Sequence, residues 1–399
     1  MQMNIFIIPS WYPSESRPIS GAFIREQVEA VASLCPDIRV IVSTWGFDDG
    51  AVPLSHPLKA MRALKWRTQQ MRDRVVARNG VWEVFNPYLT CPERFPLGAM
   101  RRLLKVNRRN HELAISRFGK IDLIHAHVSY PAGHVARTLA REKEIPYVVT
   151  EHMGPFPFAS MLERNGDVRR EIRLALNDAA ATVAVSPVLA RDIGAFGLPV
   201  TKVIPNLVDE RRFQPAAPAS DKFIFLTLCS ISEQKGIGDL IRAISVWNPE
   251  TDRFEFRIAG EGQMSLEYQK LAERLGVADR IRWLGPIGRK EVPALFSDCH
   301  VYVMPSRHET FGIVYAEAIA CGKPVIATRC GGPEYIVNEH NGRLVNVGDV
   351  KDLAKTMQWM ATHWSDFDAK IIRADFETRF SRPAVVGELR NLYQSVLAK

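Results

Sequence analysis

The chain has 399 residues, 46% apolar and 24% charged, which is enough for two domains with full cores and ordinary for a globular protein. Its net charge of +8 is local, because residues 1–205 hold 27 Lys and Arg against 19 Asp and Glu, and residues 56–120 alone hold 15 against 4. Six cysteines without a CxxC pair argue against a disulfide scaffold and suit reduced thiols, and no run approaches the ~20 apolar residues of a membrane span.

The opening MQMNIFIIPSWYP has too short an apolar run and no basic leader for a signal peptide, so Asn4–Pro9 reads as a buried strand. Ser10–Gly21 is a loop and Ala22–Ser33 has helical periodicity, which is how a Rossmann-like domain opens. Gly21, just before that helix, is either a plain entry turn or a place where amides face an anion. Arg39–Thr44 is a second strand, and two helices, Leu58–Asn79 and Leu97–Phe118, follow. Both carry broken apolar stripes flanked by Lys and Arg, with Trp66 on the basic side of the first. They read equally as packing helices and as basic amphipathic helices suited to an anionic membrane surface. Nucleic acid fits less well, because aromatics are not interleaved as a stacking platform.

Ile121–Ala126 is a strand, followed by His127 and a helix through Glu142; Pro146–Thr150 is another, ending in Thr150-Glu151-His152. A histidine just past a strand's carboxyl end, as His152 is, sits on the active edge, whereas His125 and His127 read as buried structural residues. Glu171–Ala180 is helical, Thr182–Val185 a strand, and Ser186 caps the next helix with Pro187 at its first position. Lys202–Ile204 follows, and Gln214–Asp221 (QPAAPASD) has the composition of a linker.

The second domain starts at Phe223–Leu228, with a helix from about Asp239 and further strands at Phe254–Ala259, Arg280–Leu284 and Leu344–Val347. Val301–Met304 and Pro324–Ala327 are short, β-branched runs that fit buried parallel strands. Between them Glu309-Thr310-Phe311-Gly312 opens a helix from Ile313 to Cys321, stopped by Gly322 and Pro324. Glu309 therefore lies on the strand-to-helix loop and Glu317 one to two turns into the helix. Taken alone, either glutamate reads as a helix-end charge or a solvated face. With Gly331-Gly332 ending the next strand, however, two carboxylates and two glycine loops gather where open α/β sheets hold ligands.

The string Pro305-Ser306, Glu309, Phe311-Gly312, Glu317-Ala318, Ala320, Gly322, Pro324–Thr328, Gly331-Gly332 and Glu334 resembles the donor-site signature of the GT-B retaining glycosyltransferases of family 4, also called glycosyl transferases group 1. The N-terminal loop through Gly21, Thr150–His152 and the run Val203 to Phe213 extend the likeness over nearly the whole chain, thinly from Gly46 to Lys120. The resemblance implies an α/β, GT-B architecture of two Rossmann-like domains facing a central cleft. Residues 1–213 would form the acceptor side, 214–380 the nucleotide-sugar side, and 381–399 a helix crossing back to the first domain.

It also implies roles. Glu309, His152 and Lys235 would be catalytic, and Gly21, Ser230, Lys235, Ile287, Glu309, Thr310, Phe311, Gly312, Ile313 and Glu317 would touch the donor. Glu317 would hold the ribose, and Lys235, Gly21 and the helix start after Gly312 the diphosphate. Ser230 departs from the family's arginine, so Arg307 or Arg329 are candidates to take over its phosphate contact. The implied activity is a hexosyl-type transferase (EC 2.4) acting on a UDP- or GDP-linked sugar and a glycan or lipid-linked acceptor, with no metal and no other cofactor. Its expected setting is cytoplasmic, peripheral on the inner face of the membrane, in envelope polysaccharide or glycolipid synthesis. The alternatives are a nucleotide-sugar epimerase on the same fold, or a non-catalytic sugar-nucleotide-binding partner of an envelope-assembly complex.

Overall fold

A computed structural model describes residues 2–50, 57–89 and 96–398. Residues 90–95, with Cys91 and part of the basic stretch, lie outside the described residues. The chain divides into two units, one of Met1–Val185, Ala190–Ile204 and Val385–Lys399, the other of Ser186–Leu189 and Pro205–Ala384.

The first unit runs β1 (Met3–Pro9), α1 (Ala22–Leu34), β2 (Ile38–Thr44), α2 (Pro57–Gln69), β3 (Arg74–Arg78), β4 (Val81–Phe85), α3 (Pro96–Phe118), β5 (Leu123–His127), α4 (His134–Lys143), β6 (Tyr147–Glu151), α5 (Arg170–Asn177) and β7 (Ala181–Ala184). α6 (Pro187–Gly194) straddles the division, and β8 (Lys202–Val203) completes an eight-stranded sheet ordered β3-β4-β2-β1-β5-β6-β7-β8. All its pairings are parallel except the β3–β4 hairpin. Successive residues of β1, Ile5 to Ile8, are all buried, as expected for a strand covered on both faces.

One expected element is corrected here. Leu58–Asn79 is not one helix: α2 ends at Gln69, and Arg74–Arg78 turns back through Asn79-Gly80 to pair antiparallel with β4. Asn79 and Gly80 both have positive φ (49° and 79°), the geometry of a tight hairpin turn.

The second unit runs β9 (Phe223–Leu228), α7 (Ile237–Trp247), β10 (Phe254–Ala259), α8 (Ser265–Arg274), β11 (Ile281–Gly285), α9 (Val292–Ser297), β12 (Val301–Met304), α10 (Ile313–Ala320), β13 (Val325–Thr328), α11 (Pro333–Ile336), β14 (Gly342–Val345), α12 (Val350–Thr362) and α13 (Ala369–Arg379). Its six strands are all parallel in the order β11-β10-β9-β12-β13-β14. Phe225, Ile258, Val303 and Ile326 pack with Leu240 and Ile244 of α7 and Met357 of α12 into one core.

The last helix, α14 (Arg382–Leu397), buries Val385, Leu389, Leu392, Tyr393 and Val396. From Val385 on it belongs to the first unit, where Arg390 pairs with Asp37 at 2.8 Å. No helix among the described residues is long and apolar enough to cross a membrane.

Candidate active site

In the second sheet the chain reverses its direction of growth between the neighbours β9 and β12, so the loops leaving these two strands part and open a crevice. Lys235 lies on the first loop and Glu309 on the second. They are 74 positions apart, yet Lys235 Nζ donates to Glu309 Oε1 at 2.6 Å. The fully buried Ser306 donates to the same oxygen at 2.8 Å. Two donors thus fix one carboxylate oxygen.

The backbone around Glu309 is held equally closely. Its N–H donates to Cys330 O at 3.2 Å, and its carbonyl accepts from Gly332 N at 2.7 Å, so the loop after β12 pairs with the loop after β13. A Cβ on Gly236, which has φ 68°, would lie 1.9 Å from Pro305 O, so only glycine lets the Lys235 loop meet the Glu309 loop. Gly312, also left-handed, then starts α10, and Tyr315 ties that helix to the end of β12 by donating to Met304 O at 2.7 Å. α10 is apolar nearly all round, as a helix buried in a core is, and it carries the buried Glu317. Phe311 is buried edge-on to Phe380, whereas Thr310 and Ile313 are half-exposed beside it.

The remaining donor-side candidates are spread along the same sheet edge. Ser230 is exposed at the start of the loop after β9, and Ile287 is half-buried two residues beyond β11. Arg307 is committed elsewhere, donating from its guanidinium to Asp239 of α7 at 2.9 Å and from its N–H to Gln234 O at 2.7 Å. Arg329 is exposed just past β13. Burial pushes the Cys229 thiol up to about 12, so it stays protonated beside Lys235 and Glu309.

Gly21 and His152 belong to the first unit. Gly21 caps α1 at φ 67°, with a Cβ there falling 2.5 Å from Trp11 O. His152 follows β6, and its Nε2 is 3.0 Å from His127 Nδ1. His127 stacks on His125 at 4.4 Å, and the two ring nitrogens of His125 bond Thr150 Oγ1 and Tyr393 Oη, both at 2.8 Å. Burial drives His125 down to about 3 and His127 well below the usual histidine range, so both are neutral near pH 7 and structural. Among the described residues no group of three His, Cys, Asp or Glu is placed to hold a metal ion.

Two residues escape the sequence reading. Ser306 appears there only as part of a string, with nothing to mark its hydroxyl as a partner of Glu309. Glu151 is fully buried at the end of β6, and its carboxylate accepts from the N–H groups of Ser129, His152 and Met153, each at 2.9 Å. Burial raises its pKa while these hydrogen bonds oppose the rise. A glutamate closing an apolar strand was the available signal.

The family described as Glycosyl transferases group 1 matches residues 208–375, and that described as Glycosyltransferase Family 4 matches residues 27–212. A GDP-mannose-dependent alpha-(1-6)-phosphatidylinositol monomannoside mannosyltransferase from Mycolicibacterium smegmatis is 30% identical over 75% of this chain and 80% of its own length. The chain belongs to glycosyltransferase family 4. The chain is also 31% identical, over 58% of its length, to an uncharacterized glycosyltransferase of Methanocaldococcus jannaschii. It is 30% identical, over 49% of the chain, to the gpi3 subunit of phosphatidylinositol N-acetylglucosaminyltransferase from Schizosaccharomyces pombe. The chain spans only 63% and 44% of the lengths of those two proteins. Among solved structures, sucrose-phosphate synthase from Thermosynechococcus elongatus matches with TM-score 0.75 and 20% identity over 100% of both chains. Anabaena HepE in complex with UDP matches with TM-score 0.71 and 19% identity over 98% of this chain and 100% of that one. The chain therefore has the GT-B type of fold, with two α/β units built on mainly parallel sheets.

Proposed function

We propose that this glycosyltransferase takes its sugar from a nucleoside-diphosphate donor held on the second unit and passes it, with retention of configuration, to a glycan or lipid-linked acceptor of the cell envelope. The observation that carries the reading is the Lys235–Glu309 pair at the parting of β9 and β12, with Glu317 on the next helix. In the proposed mechanism Glu317 accepts from the ribose hydroxyls, and Glu309 with the amides near Gly312 orients the transferred sugar. Lys235 and the start of α10 face the diphosphate. As the sugar–phosphate bond breaks, charge grows on the departing diphosphate, and a fixed cation aimed there stabilises the transition state more than the ground state. The acceptor hydroxyl attacks from the same face, giving its proton to the leaving phosphate. The Mycolicibacterium relative is named for a GDP-mannose donor and a phosphatidylinositol mannoside acceptor, and the Anabaena structure holds UDP, which supports the donor and acceptor classes.

Thermal melting of the purified chain with UDP-, GDP- and ADP-sugars tests the donor assignment, because a ligand that binds only the folded state raises its melting point. One nucleotide class is expected to shift the transition in the wild type and to lose the shift in Glu317→Ala. A flat response to every nucleotide sugar at millimolar concentration would remove the donor reading.

The reading includes peripheral attachment. α2 leaves Leu58, Met61 and Leu64 exposed at 72%, 65% and 51%, on a helix that also bears Arg62, Lys65 and Arg67. On α3, by contrast, Arg108 and Arg109 are already paired with Glu142 and Asp73. Apolar side chains among free cations suit an anionic bilayer surface. The protein is expected to co-sediment with vesicles containing phosphatidylglycerol at low salt and to be released by salt; equal recovery with neutral and anionic vesicles would defeat the attachment.

A further inference from the structure

In the interior of the first unit a cavity of about 10 Å³ lies between β1, α1 and α14, with room for about one water molecule. Ile5, Ile7 and Val28 give it apolar walls, and three polar groups break them: the amide of Gln27, the imidazole of His127 and the phenol of Tyr393. Gln27 is only 5% exposed and His127 is fully buried. His127 Nε2 has no hydrogen-bond partner in the protein among the described residues. A buried polar nitrogen left without a partner is costly, and apolar walls offer it none. A water held among two or three polar neighbours supplies one.

The other nitrogen of His127 is occupied. Its Nδ1 lies 3.0 Å from His152 Nε2. The two ring planes are 22° apart and the ring centres 5.2 Å apart, so with that short contact the nitrogens meet edge to edge rather than face to face. Burial keeps His127 neutral, so one of its nitrogens carries a proton and the other a lone pair. The bond to His152 then ties the two rings together. With its proton on Nδ1, His127 donates, and a neutral His152 must leave Nε2 bare and carry its own proton on Nδ1. With its proton on Nε2, His127 accepts, and His152 must carry its proton on Nε2. Water and the Gln27 amide both donate and accept, so they can satisfy His127 Nε2 in either arrangement.

The surrounding backbone is held against its own preference. Val128, the residue after His127, has φ 81°, where a β-branched side chain is rarely found. Its N–H donates to Thr150 O at 2.7 Å, and the N–H of Ser129 donates to the Glu151 carboxylate at 2.9 Å. Strain of this kind persists only where the surroundings impose it, and it clusters where a side chain must be aimed. α1 touches both ends of the arrangement: Phe23 packs against the His152 ring with centres 4.9 Å apart, and Gln27, one turn on, lines the cavity.

We propose that the cavity holds one water bonded to His127 Nε2 and the Gln27 amide, and that Gln27, this water and His127 are a positioning relay fixing the orientation and the proton-bearing nitrogen of His152. Its effect on transfer rests on the transferase reading above and on the part expected of His152 in it; the water and the coupled rings do not.

The test is long-range proton–nitrogen correlation NMR on the full chain with isotope-labelled histidine, beside transfer kinetics on the same preparations. His127 and His152 are expected to carry their protons on like-named ring nitrogens. Gln27→Met, which keeps the volume and removes the amide, and His127→Phe are each expected to change the His152 ring signals. Each is also expected to lower kcat by about tenfold or more, the scale of a small misplacement of an oriented group. The KM for the nucleotide sugar and the nucleotide-induced melting shift are expected to stay unchanged. His127→Asn, which returns an amide near the position of Nδ1, is expected to recover part of the loss. Magnetic relaxation dispersion is expected to count one long-lived buried water fewer in Gln27→Met than in the wild type. Should His127→Phe fail to fold, Gln27→Met carries the test alone. Protons on unlike nitrogens of the two rings, His152 signals untouched by Gln27→Met, or an equal water count would overturn the relay. A His152→Ala variant that transfers sugar at the wild-type rate, with the wild-type rings coupled as described, would instead remove His152 from the transferase reading and leave the relay standing.

Discussion

Glu309→Gln is expected to cut sugar transfer by about 10²-fold, the scale on which misplacing an oriented substrate costs rate. The same change is expected to leave nucleoside diphosphate binding intact or make it tighter. Lys235 Nζ rests 2.6 Å from Glu309 Oε1, so the carboxylate neutralises the cation proposed to face the diphosphate. Glutamine keeps the shape, and Ser306 can still donate to its amide oxygen, but the counter-charge is gone. Transfer kinetics and UDP or GDP titrations on the same preparation read both effects. A variant that lost nucleotide binding and transfer together would mean that Glu309 holds the loop rather than the sugar, and the assignment would fall.

Gly236→Ala is expected to lower the stability of the second unit by about 3 kcal/mol, or roughly 6–12 °C in melting temperature for a domain of this size. Two costs add. A left-handed backbone costs a residue with a Cβ about 1–2 kcal/mol, and the new atom would sit 1.9 Å from Pro305 O. The loops that bring Lys235 to Glu309 must then separate, so nucleotide affinity is expected to fall with stability. Gly276→Ala supplies the control. Its φ is 67°, almost the same as the 68° of Gly236, but a Cβ there meets nothing within 4 Å. It is therefore expected to cost about 1 kcal/mol and leave binding alone. Equal losses in the two variants would show that the close approach contributes nothing.

The parts that the sequence made legible are those in which local pattern and topology agree. β-branched runs at Val301–Met304 and Val325–Thr328 can only be buried strands, and the Glu309–Gly312 string between them can only be the connection into α10. The Leu58–Asn79 stretch shows the opposite case. Its apolar spacing carried past Gln69 into Met71 and Val75, and that periodicity outweighed the Asn79-Gly80 pair, a strong short-range hairpin signal. Trp66 lies in the part of that stretch that is helical, as read, but no local pattern shows that Gly46 receives its ring. The Lys235–Glu309 contact and the Tyr393–His125 contact were out of reach because each depends on which strands become neighbours, and no local pattern encodes that order.

The Tyr393–His125 bond has a consequence for how the polypeptide is made. Residues 385–398 are translated after the whole of the second unit, 268 positions beyond His125. At roughly 5–20 residues per second the ribosome takes on the order of tens of seconds to cover that distance. Throughout that interval the groove formed by Ile5, Ile7, Val28 and Val31, which Tyr393 will cover, is open to water, and the His125 ring lacks its phenol partner. The half that begins synthesis first is thus the half that finishes folding last, and a nascent chain stalled before residue 385 is a natural client for a chaperone.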